Sequence, residues 1–192
     1  MLGLSGPARR WLTRCLFSLG VLALGACASS PTLRPGRDGP PAQVRSDLDS
    51  IPDAVARVEP ILPQTTRPYE QSGRRYQPMT ALVPYRASGI ASWYGRQYHG
   101  KKTASGELYD LYAMTAAHPI LPIPSYARVT ARRSGRSVVV RINDRGPFVQ
   151  DRLIDLSYVA AHRIGLIEAG SGEVDVELIL PPGSAPKRGW LW

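Results

Sequence analysis

From Gly89 onward the chain falls into short apolar runs cut by turn residues. GIASWYG alternates, setting Ile90, Ser92 and Tyr94 on one face and Ala91 and Trp93 on the other, as a half-buried strand does. LYAMTAA, SYARVTA, SVVVRIN and VDVELIL follow, separated by Gly, Pro and Ser, and ARRSGRS reads as a hairpin connection. Short strands at this spacing predict a small β-barrel. One segment changes period: DLSYVAAHRIG predicts a short α-helix, with Ser157 as N-cap, an apolar stripe through Val159, Ala160 and Ile164, and Gly165 as its stop. The fold class is therefore mainly β, a single barrel domain over residues 89–181 with one short α-helix. Such a length, about ninety residues, encloses one core and not two.

Upstream of Gly89 the pattern is of another kind. Arg9, Arg10 and Arg14 precede an apolar stretch from Leu16 to Ala26 that is too short to span a bilayer, so residues 1–26 read as an export signal. The stretch closes on Leu24-Gly25-Ala26-Cys27, which resembles the lipobox of bacterial lipoproteins and makes Cys27 the expected lipidation site. Ala28 after it, in place of an aspartate, favours sorting to the outer membrane. Residues 27–66, rich in Pro, Ser, Gly and Arg without apolar period, are expected to form a disordered tether. Residues 67–88 interleave Tyr69, Tyr76, Met79 and Tyr85 with polar residues and predict a hairpin appendage turning near Ser72-Gly73; residues 182–192 form a C-terminal tail.

Charge and cysteine count narrow the function. The formal net charge is +9, and removing Arg9, Arg10 and Arg14 with the signal leaves +6. The barrel segment is close to balanced, which argues against nucleic acid as partner, since that would need basic residues gathered on one face. A modest positive surface suits an anionic wall polymer or a membrane surface. Cys15 lies in the signal, so Cys27 is the one remaining thiol, and neither a disulfide nor a cysteine-based metal site can be built. His99 and His162 have no partner at metal-ligand spacing, and no metal site is expected.

Few residues are left to carry chemistry. On SVVVRIN, alternation places Val138, Val140 and Ile142 inward and carries that line to Asp144, at the mouth of the barrel. Burial there would raise the carboxyl pKa, and Arg141 or Arg145 would lower it if either turned towards it. Asp also starts turns readily, as before Gly146-Pro147 here. The loop GKKTASGELYD offers Glu107 and Asp110, and two carboxyl groups from separate loops are the usual equipment of a sugar-cleaving site. His118 ends TAAH before Pro119. Trp93, Tyr94 and Tyr98 could give sugar rings an apolar platform, although an aromatic in a strand is more often core, and Arg145 is a candidate substrate contact. No Gly-x-Ser-x-Gly elbow and no phosphate-cradling loop is present.

GIASWYGRQYHGKKTASGELYD, MTAAHPILPIPSYARVT, VVVRINDRGPF and RLIDLSYVAAHRIG, in that order and spacing, closely resemble the rare lipoprotein A (RlpA) family over roughly residues 69–180. The resemblance implies a six-stranded double-psi β-barrel related to expansins, and lytic transglycosylase activity on peptidoglycan strands that lack stem peptides. It implies no metal or organic cofactor. It places the family's acidic and histidine positions on Glu107, Asp110, His118 and Asp144. Asp144 is the expected general acid and Glu107 the expected stabiliser of positive charge, the reverse assignment remaining open. His118 would orient a carboxyl or bond the sugar. The alternative is an expansin-like module that binds peptidoglycan without cutting it.

Overall fold

The computed structural model describes residues 38–149 and 151–183. The expected signal peptide, Cys27 and most of the C-terminal tail lie outside the described residues. A two-stranded hairpin, β1 (Tyr69–Gln71) and β2 (Arg74–Tyr76), turns through Ser72-Gly73, both at positive φ. The barrel strands are β3 (Arg86–Trp93), β4 (Thr115–Ala117), β5 (Ser125–Ala131), β6 (Ser137–Asp144), β7 (Arg152–Leu156) and β8 (Ser171–Ile179). They close in the order β3-β7-β4-β6-β5-β8. The β3–β7 and β4–β6 pairings are parallel and the others antiparallel, so the sheet has no free edge.

The core follows from alternation. Val129, Val138, Val140, Ile142, Ile154, Leu156, Val174 and Val176 are fully or almost fully buried and fill the barrel. The one α-helix among the described residues, α1 (Tyr158–Ile164), lies between β7 and β8. Ser157 caps it by accepting from the Ala160 amide, and Gly165 ends it at φ 79°, a left-handed conformation that a Cβ would disfavour. Val159, Ala160, Ala161 and Ile164 bury its apolar stripe. Two strands differ from the sequence pattern: LYAMTAA contributes only three residues to β4, and β7 is a strand that the pattern does not mark.

One expectation is corrected. Residues 38–66 are not a disordered tether; they run as an extended strap across the barrel. Leu48 is buried, and Ile51, Ala54 and Leu62 pack against the core. The backbone is fastened by Ala54 N–H to the Val139 carbonyl (3.0 Å), Leu62 N–H to the Ile123 carbonyl (2.8 Å) and Val139 N–H to the Asp53 carboxylate (3.1 Å). The Pro-rich composition that suggested disorder here marks a chain held open by tertiary bonds instead of by a ladder of its own. Residues 67–88 begin with the hairpin, whose Tyr69 and Tyr76 stack at 5.1 Å and meet the Phe148 ring edge-on, and whose Tyr69 hydroxyl donates to the Pro119 carbonyl (2.8 Å).

Candidate active site

β6 ends in a bulge. Pairing with β4 passes from Ala116–Ile142 to Ala117–Asp144, so Asn143 is an extra residue and the simple alternation stops. Asp144 therefore does not continue the inward line of Val138, Val140 and Ile142 as expected. It lies beside Ala117. On its other edge Ala117 pairs with Asp155 of β7, and Asp155 pairs with Ser92 of β3. Ser92, Asp155, Ala117 and Asp144 thus form one row across four adjacent strands. The two aspartates stand two strand spacings apart, each spacing about 4.8 Å.

Asp144 Oδ1 accepts from the Ala104 amide (2.8 Å) and the Arg145 amide (2.8 Å), and Oδ2 takes no hydrogen bond among the described residues. Burial pushes its pKa up, and the two amides and the charge of Arg145 only partly offset that, so the net shift is upward. The competition left open by the sequence is resolved by where the arginines turn. Arg141 points to the strap and to Glu107. Arg145 sends Nη1 to the carbonyls of His118 (3.0 Å) and Leu121 (2.7 Å) and Nη2 to that of Thr65 (2.9 Å). Neither guanidinium pairs with the Asp144 carboxylate.

Glu107 is held differently. Arg141 Nη1 reaches both of its oxygens at 2.8 Å, and Asn143 Nδ2 donates to Oε2 at 3.0 Å. Burial pushes this carboxyl up, but the bonds from Asn143 and Arg141 outweigh it and the net shift is downward. The loop that carries Glu107 is tied to the bulge itself: Ser105 N–H bonds the Asn143 carbonyl (3.0 Å) while its neighbour Ala104 bonds Asp144. Extra backbone at Asn143 is what lets one loop grip two successive residues of β6.

The remaining sequence candidates divide. His118 is fully buried; its Nδ1 accepts from the Ile120 (3.2 Å) and Leu121 (3.1 Å) amides, and Nε2 meets the Tyr85 hydroxyl at 3.3 Å. Nδ1 is thereby fixed as an acceptor and the proton sits on Nε2. Burial, with the charge of Arg145, lowers its pKa to about 3, so the ring is neutral. It orients no carboxyl through its side chain; its backbone amide donates to the Asp144 carbonyl (3.1 Å). Asp110 is exposed and accepts from the Tyr112 amide (2.9 Å), with His99 Nδ1 at 3.8 Å. Trp93 and Tyr94 are not an open platform: Trp93 packs on the core against Tyr158, and Tyr94 is buried and stacked on Tyr109 at 4.0 Å. Of the three aromatics only Tyr98 is exposed, at 43%. Arg145, expected to touch substrate, is a brace whose fork is taken up by the three carbonyls.

Asp155 was missed by sequence reasoning. Its carboxylate accepts from the Ser92 hydroxyl, which in turn accepts from Arg152 Nη1 (2.9 Å). Burial raises its pKa; Ser92 and Arg152 oppose the rise, and the charge of Asp144 adds to it. The Tyr94 and Thr115 hydroxyls are buried and turn to each other, and neither has another partner among the described residues. Burial, followed by Tyr109 and Asp144, drives the Tyr94 phenol well up. The signal for Asp155 is present in RLIDLS, an acid between two aliphatic residues at strand period, but the helix pattern that begins at Ser157 masks it. A hollow of about 900 Å³ lies at the opposite end of β6, lined by Arg132, Arg133, Arg136, Gly165 and Glu173. It brings no second carboxyl to face Glu173 and is not this site.

The closed six-stranded barrel is a double-psi β-barrel domain, and a family model described as "Lytic transglycolase" matches residues 86–177. Two curated relatives named "Endolytic peptidoglycan transglycosylase RlpA" are similar to the chain. The one from Pseudomonas aeruginosa is 44% identical over 188 residues, covering 91% of this chain and 55% of the relative. The one from Neisseria meningitidis is 48% identical over 134 residues, covering 70% and 56%. Among solved structures, Streptomyces papain inhibitor (SPI) matches at 18% identity and a TM-score of 0.41, covering 50% of this chain and 94% of that one. The chain belongs to the RlpA family. It spans a little over half the length of these two curated relatives.

Proposed function

We propose that the protein is an endolytic lytic transglycosylase that cuts the bond between N-acetylmuramic acid and N-acetylglucosamine in peptidoglycan strands lacking stem peptides. The observation that carries this reading is the division of labour between two carboxyls: Asp144 is unpaired and biased towards the protonated form, and Glu107 is paired and biased towards the ionised form. Environments that push neighbouring carboxyls apart in pKa mark an acid and its charged counterpart. The names of the relatives support the same substrate and reaction class.

Asp144 donates its proton to the glycosidic oxygen as the bond from that oxygen to the muramic C1 breaks. Glu107 remains an anion and stabilises the oxocarbenium-like centre. The C6 hydroxyl of the same muramic residue then attacks C1, and its proton passes to the Asp144 carboxylate, which restores the acid. The products are a 1,6-anhydromuramic end and a free N-acetylglucosamine 4-hydroxyl. Water is neither consumed nor released. Asp155, whose second oxygen takes no hydrogen bond among the described residues, holds a hydroxyl or acetamido group of the sugar being cut.

The export and anchoring reading belongs to the same proposal. The protein would be carried by lipid on Cys27 at the periplasmic face of the envelope, in the outer membrane, and the lipobox and Ala28 are what support this. Labelling with radioactive palmitate, lost on Cys27→Ala, tests the anchor; membrane fractionation tests the address.

The activity is tested by incubating the purified full chain with intact sacculi and with strands freed of peptides by an amidase, then searching for 1,6-anhydromuramic ends by mass spectrometry. New ends on the denuded strands that disappear with Asp144→Asn support the reading. Strands that pull down the protein and stay uncut would replace it with a binding module.

A further inference from the structure

We propose that segment 57–66 of the strap is part of the catalytic site, with Glu59 a positioning residue that acts on Glu107 through Arg141. The inference rests on the transglycosylase reading for its consequence and on geometry alone for its mechanism. Arg141 is shared. Its Nε and Nη2 donate to the two oxygens of Glu59, each at 2.9 Å, while Nη1 serves both oxygens of Glu107 at 2.8 Å. A guanidinium offers five donors in a fixed fork, so one arginine can bridge two carboxylates only if both hold still.

The strap meets that demand. Glu59 lies between the two backbone fastenings of Ala54 to Val139 and Leu62 to Ile123, and the Tyr126 hydroxyl donates to its Oε1 (2.5 Å). The side chains of Arg141 and Glu59 are only 17% and 18% exposed, against 46% for Glu107. The buried half of the network is therefore the strap half, and the open half is the one that can face substrate. Six residues beyond Glu59, the same strap bears on the other carboxyl. The carbonyl of Thr65, a buried residue, takes Arg145 Nη2 and helps keep that guanidinium off Asp144.

The charge count gives the arrangement its purpose. Paired with Glu107 alone, Arg141 would cancel the negative charge that a developing oxocarbenium centre needs. Shared between two carboxylates, it leaves the triad with one net negative charge while still fixing the Glu107 rotamer; Arg57, 3.5 Å from Glu59, is 68% exposed, so solvent screens its charge and it offsets little of this at Glu107. Glu59 thus lets Glu107 be both anchored and anionic.

The test titrates Glu107 by carbon-13 NMR of its carboxyl in the full chain and in Glu59→Gln. The groups facing Glu107 are Arg141, Asn143 and Ser105, and those facing Glu59 are Arg57 (3.5 Å), Arg141 and Tyr126. Removing the Glu59 charge takes away a like charge and leaves Arg141 to Glu107, so Glu107 titrates at lower pH in the variant. An unmoved Glu107 titration overturns the proposal. Should Glu59→Gln fail to fold, Glu59→Asp, which keeps the charge but falls short of the fork, shifts Glu107 in the same direction by less. In turnover, Glu59→Gln lowers kcat about tenfold with KM little changed, and has no further effect in a Glu107→Gln background. Effects that multiply instead would reduce Glu59 to a fold-stabilising residue. A parent chain that makes no anhydro ends defeats the transglycosylase reading, and the NMR titration still decides the positioning.

Discussion

Asp144 and Asp155 are registered against the same residue, Ala117, from opposite sides, so that two carboxyls with upward-shifted pKa values flank a single methyl group. Burial is the main cause for both, and the charge of Asp144 falls on Asp155 as well. The influence runs from Asp144 to Asp155, whereas the shift of Asp144 is set by burial against its two amide bonds and Arg145, so removing each in turn tells which of them a kinetic pKa reports.

Substitution by Asn separates the members. Asp144→Asn removes the proposed acid and lowers kcat by about 10²–10⁴-fold, the usual worth of a general acid. Asp155→Asn leaves the acid in place and lowers kcat by about tenfold, as loss of one sugar contact does. In the parent, turnover falls as pH rises through the raised pKa of Asp144 and falls again at low pH as Glu107 takes up a proton. In Asp155→Asn the alkaline limb stays in place, because the upward shift of Asp144 comes from its own burial, while the charge of Asp144 bears on Asp155. A larger loss from Asp155→Asn than from Asp144→Asn would transfer the acid role to Asp155.

His118 predicts a pH dependence of stability with the opposite sign. Its folded pKa of about 3 lies far below the ordinary histidine value, so between those two limits the unfolded chain binds the proton and the folded chain does not. Stability from this group is complete above about pH 6.5 and is withdrawn as pH falls, at up to about 1.4 kcal/mol per pH unit. The raised aspartates work the other way, gaining stability as pH falls through their folded pKa values. Urea unfolding at a series of pH values, compared between the parent and His118→Gln, isolates the histidine part. The variant is expected to be less stable at pH 7 and to have a flatter profile between pH 6 and 4. Equal slopes would show that the ring is not held neutral by the fold.

Much of this architecture was legible in the residues. Val138, Val140 and Ile142 announce a strand because β-branched side chains at period two have one place to go, and Ser157 and Gly165 announce helix ends by local hydrogen bonding and φ preference. What escaped the pattern depends on other parts of the chain. Asp144 was found, but its environment turns on one extra residue, Asn143, whose bulge exists only opposite β4. Asp155 was hidden in a five-residue strand that abuts a helix signal. The aromatic reading of Trp93 and Tyr94 failed because period two does not say which side of a closed barrel is filled. Segment 38–66 looked disordered because its bonds are made to residues some eighty positions away, as between Glu59 and Arg141, and no local property of Pro-rich sequence records them.

The anchoring of that strap yields a last prediction. At its first described residue, the Asp38 carboxylate accepts from the amides of Gly39 (2.9 Å), Gly95 (2.7 Å) and Gln97 (3.1 Å), and the Gly39 carbonyl takes the Arg96 amide (2.9 Å). This closeness needs glycine at 95, since a Cβ there would stand 2.0 Å from the Gly39 carbonyl oxygen and 2.8 Å from its carbon. Those are backbone atoms, and no rotamer change relieves the overlap. Gly95→Ala must therefore lift the strap end from the loop after β3, at about 0.5–1.5 kcal/mol for each hydrogen bond lost. The Glu59 region is fastened separately, so it should stay docked. Hydrogen exchange is expected to quicken at Gln97 and at the substituted position 95 while the Leu62 and Val139 amides keep their protection. Unchanged exchange at 95 and 97 would mean that the Asp38 clamp does not hold the strap in solution.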